Sequence, residues 1–242
     1  MKISLFTQNI FQDQEKKNTE AIVAAAMTAA KENKSKMLLT PELSLQGFTE
    51  KMDKPVHPVT PERINEIKKV ASQYDITIGI GYFDQEGSAI YNTYSLIDHT
   101  GKTIGLQRKR KTFKYANEDL YIQAATETRD FLLDGMKTRM VICFGLRFPE
   151  MFQAATERPQ LYIIPANWPK VRIHHWEALL IARAIETQAW VIGINRTNGI
   201  YNGHSMVINP NGEIVDKNNA GLLSFSIDKQ LVSTIRKQFP IK

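Results

Sequence analysis

The sequence predicts a single α/β domain whose sheet is not purely parallel. Three observations predict it. Short apolar runs that read as strands alternate with alanine-rich or amphipathic stretches that read as helices. Turn signals join some neighbouring strands directly, as hairpins do. No linker, repeat or low-complexity segment interrupts the chain, so residues 1–242 are read as one domain.

The elements follow in order. Ile3 to Thr7 alternates as a strand. The alanine-rich run from Thr19 to Glu32 predicts a helix, with Asn18 or Thr19 as its cap. Met37-Leu38-Leu39 is a short buried strand stopped by Pro41-Glu42. Thr60-Pro61-Glu62 offers a cap, a first-position proline and an acid for the helix over 63–75. Strands are predicted over 76–83 and 89–98, with His99 to Lys102 turning into a third. Residues 108–128 are polar, irregular and long for a structureless loop, which points to function or disorder. Arg129 to Leu133 and Thr138 to Cys143 read as strands, and Glu150 to Glu157 as a helix beyond Gly145 and Pro149.

Gln160 to Pro165 is a strand leading into the loop Ala166-Asn167-Trp168-Pro169. His174 to Gln188 is a helix sharing Trp176, Leu179, Leu180, Ala184 and Ile185 on one apolar face. Ala189 to Asn195 is a strand, and 203–209 pairs with 213–216 across Pro210-Asn211-Gly212. Leu222 to Ile227 is the last strand, and Asp228 caps a terminal helix.

Composition narrows the class. Hydrophobic and charged fractions of 43% and 23% are those of an ordinary globular protein. A single cysteine forms no internal disulfide, which makes a reducing cytoplasm the expected location. No apolar run approaches the roughly 18 residues of a membrane span, and the N-terminal apolar stretch is too short for a signal peptide. The net charge of +6 attracts anions, yet only Arg108-Lys109-Arg110-Lys111 clusters, so a nucleic-acid surface is not expected. The five histidines show no ligand spacing with an acid or cysteine, and no metal or cofactor is expected. His174 and His175 point about 100° apart on a helix, which reads as surface or packing.

Chemistry points to three strand ends. Ligands in open α/β sheets bind beyond the carboxyl ends of the strands, where Glu42 and Cys143 fall, while Lys109 opens the long loop. A strand that stops at Cys143 and turns sharply presents its sulfur to a substrate, and a following helix start favours a thiolate. A thiol attacking an acyl carbon needs a base, which Glu42 supplies. It also needs positive groups for the carbonyl oxygen, which Lys109 and the Phe144 N–H supply.

Together these segments resemble the nitrilase (carbon–nitrogen hydrolase) superfamily. The matching pieces are Leu38 to Glu42 with Gly47-Phe48, Arg108-Lys109-Arg110 with Phe113 and Glu118, and Ile142 to Glu150. Ala166 to Pro169, Arg183 to Glu186, Asn195-Arg196 and Gly203 to Ser205 continue the match. The resemblance implies an α-β-β-α sandwich, often a homodimer. It makes Glu42 the general base, Lys109 the stabiliser of the tetrahedral intermediate, Cys143 the nucleophile and Glu118 a second glutamate near the lysine. Within the superfamily, Asn167 to Gln188 and the run Cys143 to Glu150 are most similar to the omega-amidases, which hydrolyse the terminal amides of 2-oxoglutaramate and 2-oxosuccinamate. Such a substrate carries a distal carboxylate. Arg147 is its natural bidentate partner, Arg172 a second candidate, and Asn167, Trp168, Phe113 and Phe144 candidate pocket residues. Arg147 has a structural alternative, an ion pair with Glu150.

The chain departs from the family at four places. Gly145 replaces an aspartate and threatens to loosen the turn after the cysteine; Lys111-Thr112, Asn117 and Thr187 replace His-Leu, glycine and asparagine. Other readings stay open: an N-carbamoyl or aliphatic amide hydrolase, a catalytically weakened relative, and a non-catalytic basic protein binding RNA or DNA through residues 108–111.

Overall fold

The computed structural model describes residues 1–154 and 157–241. In chain order the elements are β1 (Lys2–Thr7), α1 (Glu15–Lys31), β2 (Met37–Leu39), α2 (Pro61–Gln73), β3 (Thr77–Glu86), β4 (Ala89–Ile97) and β5 (Thr103–Arg108). Then come α3 (Glu118–Tyr121), β6 (Asp130–Leu133), β7 (Met136–Met140), β8 (Leu161–Ala166), α4 (Ile173–Thr187) and β9 (Trp190–Asn195). A small hairpin, β10 (Thr197–Asn198) and β11 (Tyr201–Asn202), precedes β12 (Ser205–Ile208), β13 (Ile214–Asn218), β14 (Gly221–Ser226) and α5 (Gln230–Gln238).

Two six-stranded sheets stack face to face, ordered β14-β1-β2-β3-β4-β5 and β13-β12-β9-β8-β7-β6. Each has three parallel strands at its centre, β1-β2-β3 and β7-β8-β9, with antiparallel strands outside. The period-two alternation of the strands builds four layers. Ile3, Leu5, Met37 and Leu39 of one sheet meet Leu161, Ile163, Ile192 and Ile194 of the other in a dry middle. The intervening Leu38, Ile78 and Ile80 face α1 and α2, and Tyr162, Ile164 and Val191 face α4. The fold is the expected α-β-β-α sandwich.

Several local expectations need correction. α1 begins at Glu15, so Asn18 and Thr19 lie inside it rather than capping it. Asn18 is instead spent on tertiary structure, donating to the carbonyls of Phe11 (2.7 Å) and Leu45 (3.0 Å). The helix expected over 150–157 is absent through residue 154: a single 3-10 turn, Pro149–Met151, stands there, and residues 155 and 156 lie outside the described chain. β7 ends at Met140, and Cys143 opens a 3-10 turn running to Arg147. On α4, Trp176, Leu180 and Ala184 are buried as expected, but Ile185 is exposed. The long polar stretch after β5 is ordered, with a 3-10 turn at Lys114–Ala116 and then α3.

Candidate active site

Glu42, Lys109 and Cys143 meet at one end of the sandwich because of strand direction. β2 runs parallel to both its neighbours and β7 to β8, and they deliver Glu42 and Cys143 just past their carboxyl ends, as open α/β sheets do. β4 and β5 each reverse direction, so β5 runs the same way as β2 and β3 and ends at the same edge of the sheet. Lys109 follows it there.

The loop bearing Glu42 lies flat across β3. Thr40 Oγ1 donates to the Gly79 carbonyl (2.7 Å), the Leu45 N–H to the Gly81 carbonyl (3.1 Å) and the Gly81 N–H to Ser44 Oγ (3.0 Å). Only glycine permits that approach. A Cβ on Gly81 would collide with the Leu43 nitrogen and sit 2.9 Å from the Glu42 carbonyl carbon.

The Lys109 ammonium donates to Glu42 Oε1 and to Glu118 Oε1, each at 2.8 Å. Asn92 Nδ2 bridges the same two oxygens at 2.8 and 3.2 Å. Asn167 serves the other Glu42 oxygen through its N–H (3.0 Å) and side chain (3.1 Å). The Phe113 N–H donates to Glu118 Oε2 at 2.6 Å. With Glu42 1%, Lys109 2% and Glu118 0% exposed, these charges are tolerable only because they are paired and hydrogen-bonded. Burial by itself would raise the Glu42 carboxyl; the attraction of Lys109 overrides it and brings the group below its ordinary value. Burial likewise works against the Lys109 charge, and Glu118 with Glu42 holds it well above the usual lysine value.

Cys143 sits at φ 44°, a left-handed conformation that a non-glycine residue adopts at a cost and that aims its sulfur out of the turn. The thiol is half-buried and opens on a cavity it shares with Glu42 and Lys109. Burial first, then the Glu42 charge, push it well above an ordinary thiol, while Lys109 and the Asn167 N–H pull the other way. The resting sulfur is therefore protonated, and the adjacent group is the Glu42 carboxylate. Gly145 does not loosen this turn: its N–H donates to the Ile142 carbonyl at 3.0 Å, and a Cβ there would stand 2.9 Å from Val141 Cγ1. Asn117, standing where glycine is usual, takes φ 56°, which asparagine tolerates.

The cavity, about 260 Å³, is also lined by Phe113, Phe144, Arg147, Asn167, Trp168 and Arg172. Every residue expected at the site is thus in it except Glu118, which stands behind Lys109. The Arg147 guanidinium lies 4.8 Å from the Trp168 ring centre. Its expected alternative partner is taken: Glu150 pairs with Lys111 at 2.8 Å, and Arg147 has no acidic partner among the described residues. Arg172, 5.8 Å from the Phe113 ring centre, is half-buried. The basic run splits four ways: Arg108 binds Asp84 and Glu86, Lys109 is buried, Arg110 reaches Thr128 and Lys111 takes Glu150. It makes no joint cationic face. Among the described residues no three His, Cys, Asp or Glu side chains are grouped to hold a metal, and no helix is long and apolar enough to cross a membrane.

Sequence reasoning missed Asn92, Tyr201, which also lines the cavity, and His175, whose Nδ1 stands 3.1 Å from Arg147 Nη2. Asn92 is fully buried in β4, a placement that its neighbours in the chain do not signal.

The model of the family described as carbon-nitrogen hydrolase matches residues 2–237. The chain belongs to that family. This carbon–nitrogen hydrolase is 32% identical over 235 residues to the 2-oxoglutaramate amidase of Bacillus subtilis, covering 93% of this chain and 91% of the relative. It is 32% identical over 213 residues to the omega-amidase YafV of Escherichia coli, covering 84% and 82%. A CN-hydrolase superfamily protein from Xanthomonas campestris shares the fold at a TM-score of 0.88 and 24% identity, over 99% of this chain and 95% of that one. An amidase from Nesterenkonia sp. does so at 0.85 and 22%, over 98% and 94%. The hydrolase is a cysteine-nucleophile enzyme of the nitrilase superfamily, and it holds one cysteine.

Proposed function

We propose that this hydrolase removes the terminal amide of small 2-oxo acid amides, 2-oxoglutaramate or 2-oxosuccinamate, releasing the dicarboxylate and ammonia. The single observation that carries the substrate is Arg147: a guanidinium without an acidic partner among the described residues, on the cavity that holds the thiol. Burial and the neighbouring Arg172 both oppose its charge, so an anion bound between them is favoured. The names of the Bacillus and Escherichia relatives support the same reading.

The chemistry runs through a thioester. Cys143 Sγ attacks the amide carbon as Glu42 takes its proton. The carbonyl oxygen, now negative, is held by Lys109 and the Phe144 N–H at the start of its turn. Collapse breaks the C–N bond, and Glu42 gives its proton to the departing nitrogen, which leaves as ammonia. A water then attacks the thioester, its proton passing to Glu42; the acid leaves and the proton returns to sulfur. Glu118 keeps Lys109 charged and in place. A homodimer in a reducing cytoplasm belongs to the same reading; light scattering checks the dimer.

Ammonia release from 2-oxoglutaramate is to be measured beside N-carbamoyl amino acids, aliphatic amides and nitriles, with mass spectrometry of the trapped acyl-enzyme. The reading expects the 2-oxo acid amide to be turned over fastest, an adduct on Cys143, and no turnover by Cys143→Ser. Arg147→Ala should cost the carboxylate-bearing substrate roughly tenfold or more, the worth of a charged hydrogen-bonding pair, and a neutral amide much less. Equal losses on both would remove the anchor role from Arg147.

A further inference from the structure

α4 contributes one side chain that the reaction does not use. His175, in the first turn of that helix, has its Nδ1 3.1 Å from Arg147 Nη2. A guanidinium has only donors, so Nδ1 must be the acceptor, which leaves the proton of the neutral ring on Nε2. Arg147 is thereby held on two sides: its face lies against Trp168 at 4.8 Å, and one N–H is committed to His175. The Trp168 ring is itself fixed, its Nε1 donating to the Arg172 carbonyl at 2.8 Å. A guanidinium pinned in this way presents its remaining N–H groups to the cavity with little rotamer freedom left to lose.

We infer that His175 is a positioning residue for the carboxylate anchor: its uncharged imidazole orients Arg147, so recognition of a distal carboxylate depends on a neutral ring at this position. The inference rests on Arg147 being that anchor. Every charged or titratable group facing His175 is cationic or can become so. His174 lies on the same helix with its ring 4.1 Å away, Arg147 comes from the turn after Cys143, and Arg172 from the turn before α4. Burial first, then these neighbours, push the His175 pKa below its ordinary 6.5, which keeps the ring neutral through the physiological range. On protonation Nδ1 can no longer accept, and the ring repels the guanidinium it had held.

The test compares a carboxylate-bearing 2-oxo acid amide with a neutral amide of similar length, in wild type, His175→Ala, His175→Asn and Arg147→Ala, from neutral pH downward. The ratio of the two kcat/KM values is the readout. His175→Ala should lower that ratio by about tenfold, chiefly through KM, as the loss of one hydrogen bond to a charged group would. His175→Asn, whose amide oxygen can accept in place of Nδ1, should restore much of it. In wild type the KM of the carboxylate substrate should rise as pH falls through the His175 pKa, below 6.5, and this rise should be missing in His175→Asn. A KM that stays flat or falls on acidification would mean that a third cation helps the anion, and would overturn the inference. So would an unchanged ratio in His175→Ala while Arg147→Ala still lowers it. If Arg147→Ala leaves the ratio unchanged, the anchor assignment itself has failed.

Discussion

Lys109 and Glu42 face each other at 2.8 Å with almost no solvent contact, although 67 residues separate them along the chain. The pair is a structural bond and a chemical setting at once. The ammonium that steadies a negative carbonyl oxygen in the proposed reaction is also what keeps the neighbouring carboxylate ionised in a buried place.

Lys109→Met should therefore do more than slow the reaction. It leaves Glu42 and Glu118 buried without their cation, and breaking a buried pair on one side costs about 3–5 kcal/mol. A urea titration should show the midpoint falling accordingly. A Glu42→Gln, Lys109→Met double variant should recover part of that loss, since it removes one of the two stranded charges.

The pH dependence has a definite sign. Glu42 is depressed below 4.5 in the folded chain, so its contribution to stability is present above 4.5 and lost as pH falls through the folded value. Lys109 is raised above 10.5, so its contribution is present below 10.5 and lost as pH rises through the folded value. Between 4.5 and 10.5 neither of these two groups changes stability with pH. For a neutral amide, kcat/KM should hold steady through the mildly acidic range, because the base stays ionised there. An acid limb centred at about pH 6 would point to a base other than this carboxylate. Alkylation of Cys143 by iodoacetamide should be slow at neutral pH and accelerate only above the ordinary thiol value of 9.0.

Gly81→Ala tests the seat of the Glu42 loop. The added methyl meets the Leu43 nitrogen and the Glu42 carbonyl carbon, both backbone atoms that cannot swing aside. The expected cost is about 1–3 kcal/mol of stability, with kcat falling further than the stability loss alone explains. Thermal melts and steady-state kinetics on the same preparation check both. An alanine variant with full activity would show that the loop has room to move.

Element by element, the sequence speaks where a local rule is sufficient. Asn211-Gly212 makes the β12–β13 turn, with Gly212 at φ 83°, and Asp228, one residue before the Lys229 cap position of α5, accepts from the N–H of Gln230 at 2.9 Å. Pro149-Glu150 misled because a proline and an acid start a single turn as readily as a helix. Asn18 misled because a cap and a tertiary donor look alike in one dimension. At the site, Glu42, Lys109 and Cys143 were legible through their neighbours in the chain. Asn92 was not, since its part follows from β4 running antiparallel and bringing its amino end to the mouth. His175 escaped because a pair of adjacent histidines carries no sign of the arginine that one of them touches.

The constellation is split between the two sheets. Glu42 and Lys109 hang from the first, Cys143 and Asn167 from the second, and the Asn167–Glu42 bonds stitch across the junction. A slip of one slab against the other, too small to disturb any helix or strand, would part acid from sulfur. Turnover is thus a gauge of how the halves are docked, and in dilute denaturant it should fade while the circular dichroism still reads as native.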